Sequence, residues 1–576
     1  MKNILLLIAS LTSIAFISCE DVLDKRNLGA IDESYIWEDP DIIELNVNSF
    51  YANYAPTGTF GNRYEFGIIA DEGRSGYNGR GVLIINGARF SADRNDVPYQ
   101  SWNYTGIRKL NEFLEKINEQ YILPTTATNA QIQRRNRFIG EAKFFRAHLY
   151  FDMIRVYGGV PILTLPTSQY EKDSSIVYPK RSTTEESFEF VIKDLTEAAD
   201  LLPVTYDASN WGRITKGAAL AYLGRVQSFK ASPLFNLNNE VALWQNVYTT
   251  YKQVEALNVY NLHSNFPQIW IEKGLANKEI ILFVDYMKGR KMHGWDAANM
   301  MRSQAVGDAT AACPVQELVD AFPMIDGTPY VISSPETNPY LNRDPRLRHT
   351  VVFNGDTYGP RKDTIFTFVS ESTDPLNPKY NFNGIDSHQS CTSTGYYMRK
   401  MTDESLDGKK GDYAYGTGSF TQWVEIRYAE VLLGIAEAAN ELGNTEEAVD
   451  YIKMIRKRAG ILAGENNRYG VKIGINQAEC RELIQNERYI EFAFENKRYW
   501  DLRRWKLAHI NLSKQLTAME IRKVITGGSV SYTYKRRLQR HDQSNKPVFL
   551  EKFYLLPLPR NELIKNPNLE QNNDWK

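Results

Sequence analysis

The sequence lacks long runs of one charge sign, as well as the short motifs that mark common hydrolases. Its 68 basic and 69 acidic side chains are interspersed and leave a formal net charge of -1. A nucleic-acid backbone is bound by clustered positive charge, so we expect no nucleic-acid partner. The motifs HExxH and GxSxG and a phosphate-binding glycine loop are absent, and the seven histidines are isolated. These absences argue against nucleophilic or zinc-dependent catalysis, and we predict no catalytic residue, metal site or cofactor.

Cysteine is scarce, with four residues in 576. If Cys19 carries a lipid, as argued below, Cys313, Cys391 and Cys480 remain. They are far apart in the sequence and contain no CxxC pair. The spacing allows at most one disulfide and matches no zinc site.

Long apolar runs are also rare, and the clearest one lies at the start of the chain. Lys2 precedes an almost unbroken apolar run over residues 4–17, and Ser18 and Cys19 follow it. A membrane-spanning helix needs about 20 apolar residues, so this shorter run predicts a signal peptide over residues 1–18. Bacterial lipoprotein signals end in a small residue before the acylated cysteine, which favours a lipid on Cys19. A plain signal peptide with an incidental Cys19 is the alternative.

Aromatic residues are abundant, at 12% of the chain, with 34 Tyr, 26 Phe and 10 Trp. Core packing accounts for much of this content. Tyr and Trp also offer a flat apolar face with a polar tip, which suits carbohydrate or peptide ligands.

Helical periodicity dominates the N-terminal third. Apolar residues recur every three or four positions from Phe138 until Gly158 and Gly159 end the pattern. Residues 182–185 resemble a capping box and predict a second helix that reaches Leu202. A third helix is predicted from Thr215 to about Lys230.

The middle of the chain, over about 232–421, has scattered Gly, Pro, Asn and Asp and short strand-like runs such as residues 279–284. Helical spacing returns near Glu425, ends at Gly443, and resumes in a second helix that ends at Gly460. This span of about 34 residues has the size of a tetratricopeptide unit. A last helical segment is predicted over residues 477–506, with a bend at Asn496.

Seven segments of the chain are informative when they are taken together. They are EAKFFRAHLYFDMIRVYGGVPIL (141–163), GRITKGAALAYLGRVQSFKASPLF (212–235), PVQELVDAFPMIDG (314–327), NRDPRLRHTV (342–351), RYAEVLLGIAEAANELG (427–443), ERYIEFAFENKRYWDLRRWK (487–506) and YLLPLPRNELIKNPNLEQN (554–572). In this order they resemble the SusD/RagB family of outer-membrane lipoproteins. The resemblance implies a mainly α fold, namely a right-handed superhelix of tetratricopeptide-like helix pairs that carries a loop-rich, mixed α/β ligand-binding region. The expected regions are the signal peptide 1–18, an N-terminal helical region 19–231, a loop-rich region 232–421 and a C-terminal helical region 422–576.

The resemblance also implies a function. Members of this family capture a nutrient, usually an oligosaccharide or polysaccharide, and pass it to a SusC-like TonB-dependent transporter, over which they sit as a lid. The protein would then be lipid-anchored in the outer membrane and face the cell exterior. Three alternatives stay open: a peptide ligand, a surface hydrolase that cleaves glycans, and a helical scaffold that binds only its transporter.

Charged residues in the seven segments are expected to pin helices together by ion pairing. We expect Arg146 and Arg155 to pair with Glu141 and Asp152, and Arg427 to pair with Glu430. Pairing is also expected within a second set, namely Arg488, Arg498, Glu487, Glu491 and Glu495.

Two loops, residues 71–78 and 290–295, are the predicted ligand site. We expect Trp295 to be the main stacking platform, although packing of its own loop is the alternative. The assisting aromatic residues are predicted to be Tyr77, Trp270 and Tyr286. The polar candidates are Asp71, Arg74, Asn78 and Arg290.

Overall fold

The computed structural model describes residues 33–56, 65–76, 80–93, 102–166, 172–304, 312–333, 337–370, 384–387, 392–414 and 417–576. Cys19 and the predicted signal peptide lie outside these ranges, as do Tyr77, Asn78 and Cys391. Among the helices within them, none has the length and apolar character that a membrane crossing requires.

The helices in the described residues are α1 (Glu33–Glu38), α2 (Pro40–Tyr54), α3 (Glu65–Ile69), α4 (Arg80–Ile85), α5 (Tyr104–Glu119), α6 (Asn129–Tyr157), α7 (Ser174–Val177), α8 (Thr184–Leu201), α9 (Lys216–Ala231), α10 (Val241–Ala256), α11 (Trp295–Asn299), α12 (Gln316–Ala321), α13 (Pro345–Thr350), α14 (Tyr428–Glu441), α15 (Thr445–Ala459), α16 (Gln477–Glu491), α17 (Arg498–Arg504), α18 (Ala508–Asn511), α19 (Arg540–Ser544) and α20 (Arg560–Lys565).

The strands are β1 (Gly73–Arg74), β2 (Ile280–Val284), β3 (Cys313–Pro314), β4 (Val351–Val352), β5 (Thr357–Tyr358), β6 (Asp363–Thr364), β7 (Val369–Ser370), β8 (Tyr397–Met398), β9 (Trp423–Arg427), β10 (Thr517–Thr526) and β11 (Ser529–Leu538). They form small separate sheets. Four are two-stranded antiparallel pairs, β1–β3, β2–β9, β4–β8 and β5–β6, and the fifth has the order β11–β10–β7.

Helix ends in the N-terminal third follow local sequence signals. Helix α6 ends at Gly158, whose φ of 79° suits glycine, and this end was predicted. Helix α8 has a capping box, but it joins Thr183 to Glu186, one residue later than the predicted box. Thr215 caps α9 through its side chain, as expected for a helix that begins there.

Successive long helices form a stack. Helices α5 and α8 each pack against α6, α9 packs against α8, α10 against α9, and α14 against α10. Tyr251 of α10 lies against Gly224 of α9 and Gly434 of α14, where any side chain would overlap its ring. The predicted fold class is confirmed: the protein is mainly helical, with tetratricopeptide-like helix pairs and a region of loops and short strands.

The C-terminal region departs from prediction at its start. Residues 423–427 form strand β9, so the helix begins at Tyr428 instead of Glu425. Pairing of β9 with β2 and burial of the whole strand override the helical pattern here. The predicted helical segment 477–506 is divided in two: α16 ends at Glu491 and α17 begins at Arg498. Asn496, the predicted position of a bend, lies in the break and has a positive φ, as does Phe494.

A long β-hairpin, β10–β11, was not predicted. Its ten-residue strands pair in register across a turn of Gly527 and Gly528. Two glycines between alternating polar and apolar runs are a hairpin signal, and the sequence contains this pattern. One strand, β10, also pairs in parallel with β7 of the loop-rich region.

The hydrophobic interior has two parts. A large core runs through the helical stack and extends into the loop-rich region, where it includes Trp270, Trp295 and Met398. A smaller cluster, which we call the loop core, lies within the loop-rich region and contains Ala297, Met300, Met301, Val352, Tyr358, Ile365, Tyr397, Leu406 and Tyr413. The loop-rich region therefore has a small interior of its own.

A network of buried charges links the loop-rich region to the C-terminal helices. Arg427 pairs with Glu279 at 2.7 Å, with Glu491 at 2.5 Å and with Glu495 at 2.8 Å. Lys400, in the loop-rich region, pairs with Glu495 at 2.6 Å. We call these five side chains, together with Arg346 and its partners Asp344 and Glu487, the buried charge network.

Several predicted ion pairs have other partners. Arg427 does not pair with Glu430, which binds Arg225 at 2.7 Å instead. Arg488 pairs with Asp501, and Arg498 pairs with Asp71. Sequence spacing identified charges that join elements, but it missed partners that are distant in the chain.

In the N-terminal stack one predicted ion pair forms and another has a different partner. Arg155 pairs with Asp152 at 2.7 Å, one turn away, as predicted. Arg146 of α6 instead binds Asp194 of α8 at 2.7 Å, which joins two helices.

Candidate ligand-binding face

Asp71 and Arg74 follow α3, and both side chains are buried. Asp71 accepts two hydrogen bonds from Arg498 at 2.8 Å, and Arg74 binds Asp542 at 2.7 Å and 3.1 Å. Both charges are therefore used to fix this loop against the C-terminal part of the chain. The structure assigns these two predicted ligand contacts to internal ion pairs instead.

Trp295 is the first residue of α11 and is only 4% exposed. Its indole N–H donates to the carbonyl oxygen of Lys400 at 3.2 Å. A ring buried to this degree has no face open to a sugar, so in this structure Trp295 packs its loop. This agrees with the alternative that Trp295 packs its own loop, and not with the prediction that it stacks on a ligand.

The two assisting aromatic residues in the described ranges are also inside the protein. Trp270 is 1% exposed, and the ammonium of Lys400 lies 5.1 Å from its ring centre. Tyr286 is buried with its ring edge-on to His293, at 4.6 Å between ring centres. Neither ring is placed to stack on a ligand in this structure.

Arg290 is the predicted site residue that reaches solvent among those the structure describes. It lies in a tight turn in which the Met287 N–H donates to the Lys291 carbonyl oxygen at 2.7 Å. Gly289, with a φ of 77°, makes the turn possible. Met287 is 50% exposed, and the turn therefore presents a thioether and several cations to solvent.

A partly buried aromatic ring, Phe420, lies beside this turn and was not predicted. The ammonium groups of Lys273 and Lys288 lie 5.7 Å and 5.9 Å from its ring centre. Because Phe420 is far from the turn in sequence, no local pattern could have identified it. We call the surface formed by residues 287–292 and Phe420 the turn face.

The buried imidazole of His293 directly follows the turn face in the chain. Burial lowers the pKa of His293 to about 4, so its imidazole is neutral near pH 7. Its Nδ1 accepts the backbone N–H of Trp295 at 3.2 Å. Its Nε2 therefore donates to the Thr421 carbonyl oxygen at 2.9 Å. This histidine holds two loops together.

Two buried carboxyls lie close together under the same loops. Burial raises the pKa of Asp296 to about 7, and its Oδ1 accepts the backbone N–H of Asp403 at 2.8 Å. Both side chains are buried, so neither reaches a glycan bound at the surface. Across the ranges that the structure describes, no group of three or more His, Cys, Asp or Glu side chains is arranged to hold a metal ion.

The fold places the chain in the class of tetratricopeptide-like helical proteins with a loop-rich face. A family model described as "SusD family" matches residues 278–575, which is more than half of the chain. The protein belongs to this SusD/RagB family. A second family model, described as "Starch-binding associating with outer membrane", matches residues 85–227.

Full-length relatives agree with this assignment. The chain is 24% identical over 574 residues to the SusD-like protein P2 of Formosa agariphila, and the match covers 97% of both chains. It is 23% identical over 552 residues to a SusD-like protein of Bacteroides ovatus, and the match covers 88% of this chain and 83% of that one.

Solved structures have the same fold. A SusD-like protein from Bacteroides fragilis matches with a TM-score of 0.72 at 26% identity, over 94% of this chain and 98% of that chain. A laminarin-binding SusD-like protein matches with a TM-score of 0.58 at 18% identity, over the same shares. At 18% identity the likeness shows the fold alone.

Proposed function

We propose that this protein is a cell-surface lipoprotein that binds an oligosaccharide or polysaccharide and delivers it to a SusC-like TonB-dependent transporter. The observation that carries the proposal is the pair of family matches, since the model over residues 85–227 is described as starch-binding and associated with the outer membrane. A laminarin-binding protein shares this fold, and a glycan ligand for the present protein is part of the proposal.

The proposed role is capture without cleavage. A glycosidase places two carboxylates on either side of the bond that it breaks. Asp296 and Asp403 are close together but buried, and the carboxylates of the buried charge network are held by arginines. These placements favour a binding protein over the hydrolase alternative.

A lipid on Cys19 would attach the protein to the outer membrane, facing the exterior. Residues 20–29 would then form a leader that lets the helical body move over the transporter. We assign ligand contact to the region 232–421, whose turn face is exposed, and transporter contact to the helical regions 19–231 and 422–576.

Calorimetry with the purified Cys19→Ala protein tests the ligand class. Starch, laminarin and other glycans are titrated in parallel with a peptide mixture, and released reducing ends are measured in the same samples. We expect saturable binding of at least one glycan and no reducing ends. Release of reducing ends would establish a hydrolase, and binding of peptides alone would establish the peptide alternative. If no glycan and no peptide binds while a transporter co-purifies, the protein is a scaffold.

The anchor is tested in cells. Cys19→Ala should move the protein from the membrane fraction to the soluble fraction and weaken glycan uptake, while affinity in solution stays unchanged. Cys480→Ala is the matched control, because this buried thiol lies in the helical body, and it should leave the protein in the membrane. A membrane-bound Cys19→Ala protein would contradict lipidation at this residue.

A further inference from the structure

A cleft lined by aromatic rings lies between the segment that precedes α9 and strand β2. We call it the aromatic cleft, and its rings are Tyr206, Trp211, Tyr260 and Phe283. It is an open cleft, and the space between its walls, with the solvent at its mouth included, is about 600 Å³. Nothing in the sequence pattern singled out these residues, since they come from distant segments.

The rings of the aromatic cleft are only partly buried, unlike those of Trp295 and Trp270. Trp211 packs on Phe283 at 4.7 Å between ring centres and with a tilt of 41°, which supports one side of the indole. Leu275, which is 47% exposed, also lines the cleft. An indole supported on one side and partly open to solvent is suited to stacking on the apolar face of a sugar.

Hydrogen bonds fix the segment that carries Trp211. Asp207 accepts the Asn210 N–H at 3.0 Å and so closes the turn before the tryptophan. Arg213, on the other side, donates to Asn210 at 3.0 Å and to Glu44 at 2.6 Å. The ring therefore lies on a rigid support, which reduces the entropy lost when a ligand binds.

The polar tips of the two tyrosines are already engaged inside the protein. Tyr206 donates its hydroxyl to the Ile214 carbonyl oxygen at 3.1 Å, and the Tyr260 hydroxyl lies 3.1 Å from that of Thr215. Because the tips are anchored, these residues offer ring surface to the cleft.

The charged side chains that line the aromatic cleft are both positive. Arg213 and Lys278 are the charged side chains that line it, and the lining contains no acidic side chain. Arg213 is paired with Glu44, whereas Lys278 is exposed. A ligand with hydroxyl groups, with or without carboxylate or sulfate groups, would find donors here and no repelling carboxylate.

We propose that the aromatic cleft is an oligosaccharide-binding site, in which Trp211 stacks on a sugar ring and Lys278 donates to its polar groups. The inference rests on the proposed function, because it specifies where a captured glycan is held. It adds a site where the N-terminal helical region meets the loop-rich region, and its lining shares no residue with the turn face.

Calorimetry with the glycan bound best by the Cys19→Ala protein tests the site. In that background Trp211→Ala should weaken binding about tenfold or more, because the stacking surface is lost. Trp211→Phe should restore part of the affinity by retaining a ring. Trp575→Ala is the matched control, since Trp575 is also a partly buried indole, stacked on Phe553 at the C-terminal end of the chain, and it should bind normally.

Lys278→Ala is expected to weaken binding about threefold for a neutral glycan and more for an acidic one, with a greater loss at low salt. Normal binding by Trp211→Ala would overturn the cleft as the site and leave glycan capture intact. If the parent protein binds no glycan, both the cleft and the proposed function fail. Equal losses in Trp211→Ala and Trp575→Ala would show general destabilisation and overturn the assignment.

Discussion

The helical stack and the loop-rich region are stabilised in different ways. Their junction contains the buried charge network, to which both regions contribute residues and in which Arg427 is matched by Glu279, Glu491 and Glu495. The loop-rich region has the small loop core and beside it Asp296, a buried carboxyl that pairs with no cation in the described residues.

The difference indicates which part of the fold tolerates change. Buried ion pairs need exact partners, because removal of one charge leaves the others uncompensated. A small apolar core can be repacked with residues of similar volume. The loop core should therefore tolerate substitutions of similar volume better than the buried charge network tolerates loss of a charge.

The largest expected effect comes from Arg427→Met. Among the residues that the structure describes, it removes the one cation that contacts all three of Glu279, Glu491 and Glu495 and leaves them only Arg458, Arg346 and Lys400. We expect the free energy of unfolding to fall by about 3 kcal/mol, the lower end for a broken buried pair. Urea unfolding followed by circular dichroism measures the loss. Arg427→Lys retains a charge but loses the bidentate contact. Its free energy of unfolding should therefore lie between that of the unsubstituted protein and that of Arg427→Met. A loss below about 1 kcal/mol in Arg427→Met would show that the network does not stabilise the stack.

Truncation of one side chain in the loop core should lower the free energy of unfolding by somewhat less, and its effect should be local. Met301 is fully buried there, and Met301→Ala should cost about 2 kcal/mol through lost contacts and a cavity. Hydrogen–deuterium exchange should accelerate in β4 and β8 while α14 stays protected. Equal acceleration in both regions would show that they unfold as one unit and would remove the distinction drawn here.

The two regions should respond to pH in opposite directions. The folded protein keeps the Asp296 proton up to about pH 7, whereas the unfolded chain releases it near pH 4. Stability should therefore fall as pH rises through this interval, by up to about 1.4 kcal/mol per pH unit. Asp296→Asn should flatten the dependence in urea titrations at pH 5, 6, 7 and 8. An unchanged slope would mean that another group titrates.

The pKa values of two buried carboxyls near the helical stack, Glu425 of β9 and Glu430 of α14, are lowered instead of raised. Burial favours their neutral forms, but Lys497 and Arg225 hold the pKa of Glu425 at about 2 and that of Glu430 at about 2. Their contribution is present above about pH 4.5 and is lost as pH falls toward 2. Between pH 5 and 8 the stack should therefore show no pH dependence from these two groups.

The smallest effect is expected at an exposed ion pair of the stack. Arg108 and Glu112 lie one turn apart on α5 at 2.9 Å, and their side chains are 56% and 38% exposed. Arg108→Ala should change the free energy of unfolding by less than about 0.5 kcal/mol. A double-mutant cycle with Glu112→Ala isolates the pair, and a coupling above about 1 kcal/mol would contradict the contrast between buried and exposed pairs.

Elements with local signals could be predicted from the sequence. The end of α6 at Gly158 and the break at Asn496 depend on neighbouring residues and on backbone conformations that glycine and asparagine tolerate. Strand β9 was predicted as helix because its identity depends on pairing with β2, which is about 140 residues away in sequence.

The site residues were harder to predict for the same reason. Burial of Trp295 depends on Lys400, and the charge of Asp71 is taken up by Arg498. The rings of Trp211 and Phe283 meet only after β2 has packed beside the helical stack. Residue type indicated that aromatic faces matter, but only tertiary packing decides which of them face solvent.

The hairpin β10–β11 provides a natural position for a reporter. Each strand has ten residues, and at about 3.3 Å per residue the turn lies about 30 Å along the hairpin from its base. A Cβ added at Gly527 or Gly528 would meet no atom within 4 Å. An epitope inserted between them would be displayed away from the helical stack, and antibody staining of intact cells would then show directly on which side of the membrane the protein lies.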